Sequence, residues 1–94
     1  LIVQAHPFRP KCTPAPAKYL DGIEVLNCNP RHDSHNDLAY AYAQQHGLLM
    51  TAGSDCHRPE DVGQSGILTD TLPEDGYGLA QLLRSGNYQL IKPN

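Results

Sequence analysis

Leu48-Leu49-Met50-Thr51-Ala52-Gly53-Ser54-Asp55-Cys56-His57 joins a mostly apolar run of strand length to a loop carrying a carboxylate and an imidazole. A buried parallel strand reads as such an apolar run. In open α/β sheets and barrels, ligands gather just beyond the carboxyl ends of those strands. The start of the chain repeats the pattern, because Leu1-Ile2-Val3-Gln4-Ala5 runs directly into His6-Pro7. Two strand ends bearing histidine and aspartate predict an α/β fold with a polar site along one rim of its sheet.

Between these stretches the chain alternates. Pro7, Pro10, Pro14 and Pro16 exclude regular structure over 7–18 and predict a loop. Gly22-Ile23-Glu24-Val25-Leu26 reads as a second strand, and the polar segment from Asn27 to His35 as a turn. Asp37 to His46 predicts a helix, rich in alanine, acidic in its first turn and stopped by Gly47. Ser34 or Asn36 is the expected cap, with Leu38, Ala41 and Tyr42, flanked by Ala39 and Ala43, on the side toward the sheet. After strand 48–52, Pro59 to Val62 predicts one helical turn and Ser65 to Thr71 a further strand. Glu74 to Ser85 reads as a helix with Leu79, Leu82 and Leu83 inward, and Tyr88 to Ile91 as a terminal strand. Strand and helix in alternation predict mostly parallel α/β architecture in one domain, 1–94.

Composition narrows the function classes. With 39% hydrophobic and 18% charged residues the 94-residue chain reads as globular. A net charge of −3 gives no basic surface for nucleic acid. No apolar stretch approaches the roughly 20 residues that span a bilayer. Cys12, Cys28 and Cys56 are odd in number and widely spaced, which argues against a disulfide framework and for a reducing, cytoplasmic setting. Leu1 lies inside a strand-like run without an initiator methionine, so a piece of a longer protein is expected.

The candidate chemistry sits at the strand ends. Asp55 and His57, two apart in an extended segment, would project to the same side, and His6 adds an imidazole at a second strand end. Imidazole and carboxylate together suit zinc, manganese or iron. The competing reading is a surface turn in which Asp55 caps the following helical turn. Arg9 offers a planar fork suited to phosphate, or is a solvated loop charge. Glu24, a carboxylate in an apolar strand, either orients a histidine or pairs with an Arg or Lys, and Asn27 could line the same mouth. The run from Arg31 to Asp37 reads as a helix start rather than a second metal site, although Arg31 or His32 could overhang a substrate.

Together these motifs resemble a known family. A strand ending in Ala5-His6-Pro7, then Asp21-Gly22-Ile23-Glu24-Val25-Leu26-Asn27, an alanine-rich helix, and Ala52-Gly53-Ser54-Asp55-Cys56-His57 in that order resemble the C-terminal part of a PHP (polymerase and histidinol phosphatase) domain. The pattern from Leu79 to Tyr88 is similar to the end of such proteins, and the likeness covers about residues 1–91. It implies the C-terminal portion of a distorted (β/α)7 barrel that holds two or three divalent metal ions and hydrolyses phosphate esters. By that resemblance His6, Asp55 and His57 match metal ligands, Arg9 is a candidate phosphate clamp, and the substrate is a phosphorylated small molecule or nucleotide. The family's early His-x-His motif and its further His and Glu ligands are missing from these residues. The expectation is therefore a parent phosphoesterase whose fragment is inactive alone, binds metal weakly, and self-associates through an open sheet edge. The rivals are an amidohydrolase-like metal hydrolase and a non-catalytic interaction module.

Overall fold

Gly22–Asn27, the central strand β2, has a partner on each side and carries the heart of the core. In the computed structural model, which describes residues 1–93, β1 (Val3–Gln4) and β3 (Leu49–Gly53) both run parallel to it, in the order β1-β2-β3. Ile23 and Val25 on β2 are buried against Ala39 and Ala43 of helix α1 (Asn36–His46). The predicted strand–loop–strand–helix–strand order over 1–53 is thus realised, with all carboxyl ends at one rim.

The helix meets the sheet through the alanines that flank the expected face, and with Tyr42, while Leu38 turns outward. Ala39 and Ala43, one turn apart, lie on β2, while Leu38 is 47% exposed. Two stacked alanines let the helix backbone approach the sheet more closely than leucine would. Tyr42 packs beside them, edge-on to Phe8, and donates its hydroxyl to the Ala15 carbonyl. That bond and the Gln4 side-chain amide, which donates to Thr13 O and accepts from Ala15 N, pin the proline-rich loop to the sheet.

Neither expected cap serves α1. His35 precedes the helix in a left-handed conformation with no side-chain cap bond. Ser34 Oγ is engaged by Arg9, and the Asn36 amide brackets the backbone N–H and C=O of Asn27. Both caps are diverted to the site.

The second half departs from a uniformly parallel fold. Strands β4 (Gly66–Leu68) and β5 (Gln89–Ile91) form a separate antiparallel pair, with α2 (Gly76–Ser85) between them in sequence. Loop 69–75 carries the chain away and α2 brings it back, so Gln89 enters beside Leu68 and β5 runs in reverse. Asp75 caps α2 by accepting from Gly78 N at 2.7 Å. Leu83 is buried as expected, whereas Leu79 is largely exposed. Tyr88 ties this unit to β3 by donating its hydroxyl to Met50 O at 2.7 Å. Among the described residues no helix is long and apolar enough to cross a membrane.

Ile23 has no exposed surface. Ile23→Ala should lower the unfolding free energy by about 3 kcal/mol, within the range for emptying a fully packed aliphatic site. Urea unfolding monitored by circular dichroism measures it.

Candidate metal and phosphate site

Three loops leave the carboxyl ends of β1, β2 and β3 and meet around Asn27. The Asn27 side chain is 5% exposed and uses all of its hydrogen-bonding capacity. Its Nδ2 donates to Glu24 Oε1 at 2.8 Å and to Asp55 Oδ2 at 3.2 Å. Its Oδ1 accepts from Arg9 Nη2 at 3.0 Å and from Asn29 N at 3.1 Å. In a regular strand, residues three apart such as Glu24 and Asn27 point to opposite faces. The pairing of β2 with β3 shifts between Glu24 and Leu26, which breaks that alternation and lets the two side chains meet.

Glu24 acts on the His6 loop through the backbone. Its Oε1 accepts from His6 N at 3.0 Å, so the carboxylate fixes the loop rather than orienting the imidazole. Gly53 leaves room for it, because a Cβ there would lie 3.1 Å from Glu24 Oε2. The His6 ring has Nδ1 3.6 Å from Cys12 Sγ. His6 itself holds φ at +26°, a left-handed backbone imposed on a residue with a Cβ.

Asp55 shares that feature, with φ at +49°. The left-handed residue breaks the extended run expected, and the backbone bend at His57 leaves its Nδ1 2.9 Å from the Asp55 carbonyl oxygen. A carbonyl only accepts, so this shorter contact assigns the ring hydrogen to Nδ1 and the lone pair to Nε2, with Asn29 Nδ2 farther from Nδ1 at 3.4 Å. The His57 side chain is 68% exposed. Asn29 Nδ2 secures the same carbonyl at 3.1 Å.

The Asp55 carboxylate forms an ion pair with Arg9, whose Nη2 lies 2.9 Å from Oδ2. The same nitrogen reaches Ser34 Oγ at 3.1 Å, while Nη1 makes no hydrogen bond among the described residues. Burial alone would raise the Asp55 pKa, but hydrogen bonds from Arg9 and Asn27 outweigh it and hold the carboxyl below its ordinary value. Arg9 is therefore no solvated loop charge.

Asp55 does not cap the helical turn at Pro59–Asp61; Asp61 does. It is 1% exposed, and its Oδ2 accepts from His57 N and Arg58 N at 3.1 Å each. Arg31 closes a two-pronged pair on the same carboxylate. Arg31 is thus a loop clamp rather than an overhang above a substrate. His32 and His35 lie in the turn before α1, with His35 N donating to Asp33 Oδ1. Sequence reasoning saw His6, Arg9, Asp55 and His57, and noted Asn27 at the mouth. It missed Asn29, Ser34 and Asp61, whose polar character is equally that of any turn.

Comparison with known proteins adds one finding. The sequence model of the family described as PHP-associated matches residues 33–88, more than half of the chain. This chain belongs to the PHP-associated family. The matched span runs from the start of α1 to the edge of β5 and includes Asp55, His57 and Asp61. No curated protein and no solved structure matches.

Among the described residues of this PHP-associated chain, no three His, Cys, Asp or Glu side chains cluster as a metal site. The donors that could hold a metal are the Asp55 carboxylate, His57 Nε2 and the His6 ring. They suit a divalent ion in kind, as mixed oxygen and nitrogen donors on two loops, but the three side chains do not gather into one cluster.

Two outcomes follow from this geometry. Asn27→Asp turns a donor toward Glu24 and Asp55 into a third carboxylate, and should destabilise the fold by at least about 2 kcal/mol at neutral pH. Urea unfolding at pH 7 and again near pH 4 checks it, with part of the loss recovered at the lower pH. The pairing with Arg31 holds the Asp61 carboxyl well below its usual range, despite burial. A carboxyl lowered in the folded state stabilises above its unfolded pKa, near 4, and loses that contribution as pH falls further. The melting temperature should therefore drop below about pH 4, and Asp61→Asn should flatten that acid limb.

Proposed function

We propose that this chain is the C-terminal portion of a distorted PHP barrel, with β1, β2 and β3 in its wall. The protein that contains it is then a metal-dependent phosphoesterase. His6, Asp55 and His57 supply metal ligands in this reading, and zinc, manganese or iron suits them. The observation that supports it most directly is the continuous hydrogen-bonded path from His6 N through Glu24 and Asn27 to Asp55 Oδ2, which ties both donor loops to one rim.

When bound, divalent ions polarise a phosphoryl group and acidify water beside it. The residues of this chain hold and orient. His57 offers Nε2 because its Nδ1 hydrogen is given to the Asp55 carbonyl, an arrangement that fixes ring orientation in metal-binding histidines. Arg9 Nη1, which makes no hydrogen bond among the described residues, is a donor for a phosphoryl oxygen of a phosphorylated small molecule or nucleotide. The family match over 33–88 supports a PHP parent, and three free cysteines suit a reducing compartment. Two of the three donors share one loop, so the remaining ligands come from elsewhere in the protein, and residues 1–94 alone are expected to be inactive.

Asp55→Asn in the full-length protein should lower phosphate-monoester hydrolysis by at least about 100-fold, beyond the loss typical of groups that only orient a ligand. Bound metal, measured by elemental analysis, should fall with it. Wild-type turnover of an amide substrate in preference to a phosphate monoester would assign the protein to amidohydrolase chemistry. Unchanged activity in Asp55→Asn, or a fully active 1–94 fragment, would overturn the proposal.

A further inference from the structure

Helix α2 carries Leu79, Leu82 and Leu83 at the spacing of a face built for packing. Leu83 alone among them is buried; Leu82 is half-buried and Leu79 is 41% exposed. The uncovered part of that face does not stand on a flat surface. With Ile67 of β4, Leu72 and Pro73 it lines an open groove of about 400 Å³. That volume falls among sites that take ligands, roughly 300–1,000 Å³. Leu72 stands at the groove with 90% of its surface exposed. A single exposed leucine is ordinary, whereas several around one concavity mark a place of contact.

The charge around the groove has one sign. Between Arg58 and Arg84 the sequence has Glu60, Asp61, Asp70, Glu74 and Asp75 and no Lys, Arg or His. Arg31 neutralises Asp61, but Asp70, Glu74 and Asp75 have no ion pair among the described residues. Glu74 and Asp75 line the groove itself, and Asp70 lines the neighbouring cleft that shares Leu82. Asp75 lends Oδ1 to the cap of α2 without losing its charge. Carboxylates gathered beside a low-dielectric wall raise the local concentration of cations.

We propose that the groove between β4 and α2 docks a segment of a separate, basic protein, with apolar side chains in the groove and lysine or arginine beside Glu74 and Asp75. Apolar anchors laid into a groove are a recurring mode of peptide recognition. Charge decides among the occupants. Two copies of this chain meeting here would bring the same carboxylates together, and nucleic acid or an anionic membrane would be repelled. The groove is small, so the contact is weak and reversible. None of its residues belongs to the rim around Asn27, and the inference does not depend on what that rim binds.

Fluorescence anisotropy of a labelled peptide of repeated Leu-Leu-Lys-Lys, titrated with the full-length protein, tests it. The peptide should bind with a micromolar Kd, and its analogue with Glu in place of Lys at least about tenfold more weakly. Leu79→Gln keeps a good helix former and should weaken binding of the Lys peptide about tenfold, as loss of a central anchor does. Leu72→Gln changes an almost fully exposed side chain, cannot empty the core, and should act the same way. Glu74→Gln should weaken binding about threefold and flatten its dependence on salt. Failure of the Lys peptide to bind the full-length protein would overturn the proposal, the groove then being covered by the rest of the polypeptide. Equal binding of the Glu analogue would overturn the charge complementarity and with it the basic partner. Unchanged binding in both leucine variants would place the peptide elsewhere and overturn it as well. A dimer seen by analytical ultracentrifugation and abolished by Leu72→Gln would give the groove to a second copy instead.

Discussion

The side-chain amide of Asn27 is the contact on which the rest of this molecule depends. It ends the one strand that, among the described residues, has partners on both edges, and its four hydrogen-bonding positions go to Glu24, Asp55, Arg9 and Asn29. Its backbone N–H and C=O are bracketed by the side chain of Asn36 at the start of α1. One buried residue therefore joins the three loops of the rim and the first helix. An amide suits this role because it donates and accepts at once, whereas a carboxylate only accepts when ionised.

The same network contributes to folding because the apolar core is small. Among the described residues, Ile23, Val25, Ala39, Ala43 and Leu83 are the buried hydrophobic side chains, against buried Asn27, Asn29, Ser34 and Asp61. Each of those four polar groups has partners, as burial requires. Candidate site and scaffold are consequently one structure. Losing a polar partner at the rim exposes the fold to the cost of an unsatisfied buried group.

Backbone strain gathers at the same place. His6 and Asp55 both adopt positive φ, a conformation that persists in residues with a Cβ only where the surroundings enforce it. Glu24 holds the first through its N–H, and Arg9, Asn27 and Asn29 hold the second. Asp61, clamped by Arg31, fixes the far end of the Asp55–His57 segment. The rim is preorganised from both sides.

The amino-acid sequence alone determined the succession of elements along the first half, the helix between β2 and β3, and the residues gathered at the strand ends. Those follow from apolar runs, proline exclusions and glycine stops, which act over a few neighbouring residues. It set Leu38 and Ala41 at the centre of the α1 face and Ala39 and Ala43 at its flanks, because periodicity cannot tell that the two alanines permit a closer approach than Leu38. It misjudged the geometry of Asp55 and His57, which meet through a left-handed residue and a bend and not through strand alternation. The antiparallel direction of β5 depends on where α2 returns the chain, and the meeting of Glu24 with Asn27 on a pairing shift between strands. Partners such as Arg9 with Asp55, or Arg31 with Asp61, lie tens of residues apart in the chain. Local composition marks such residues as polar, and only the folded arrangement decides which of them satisfies which.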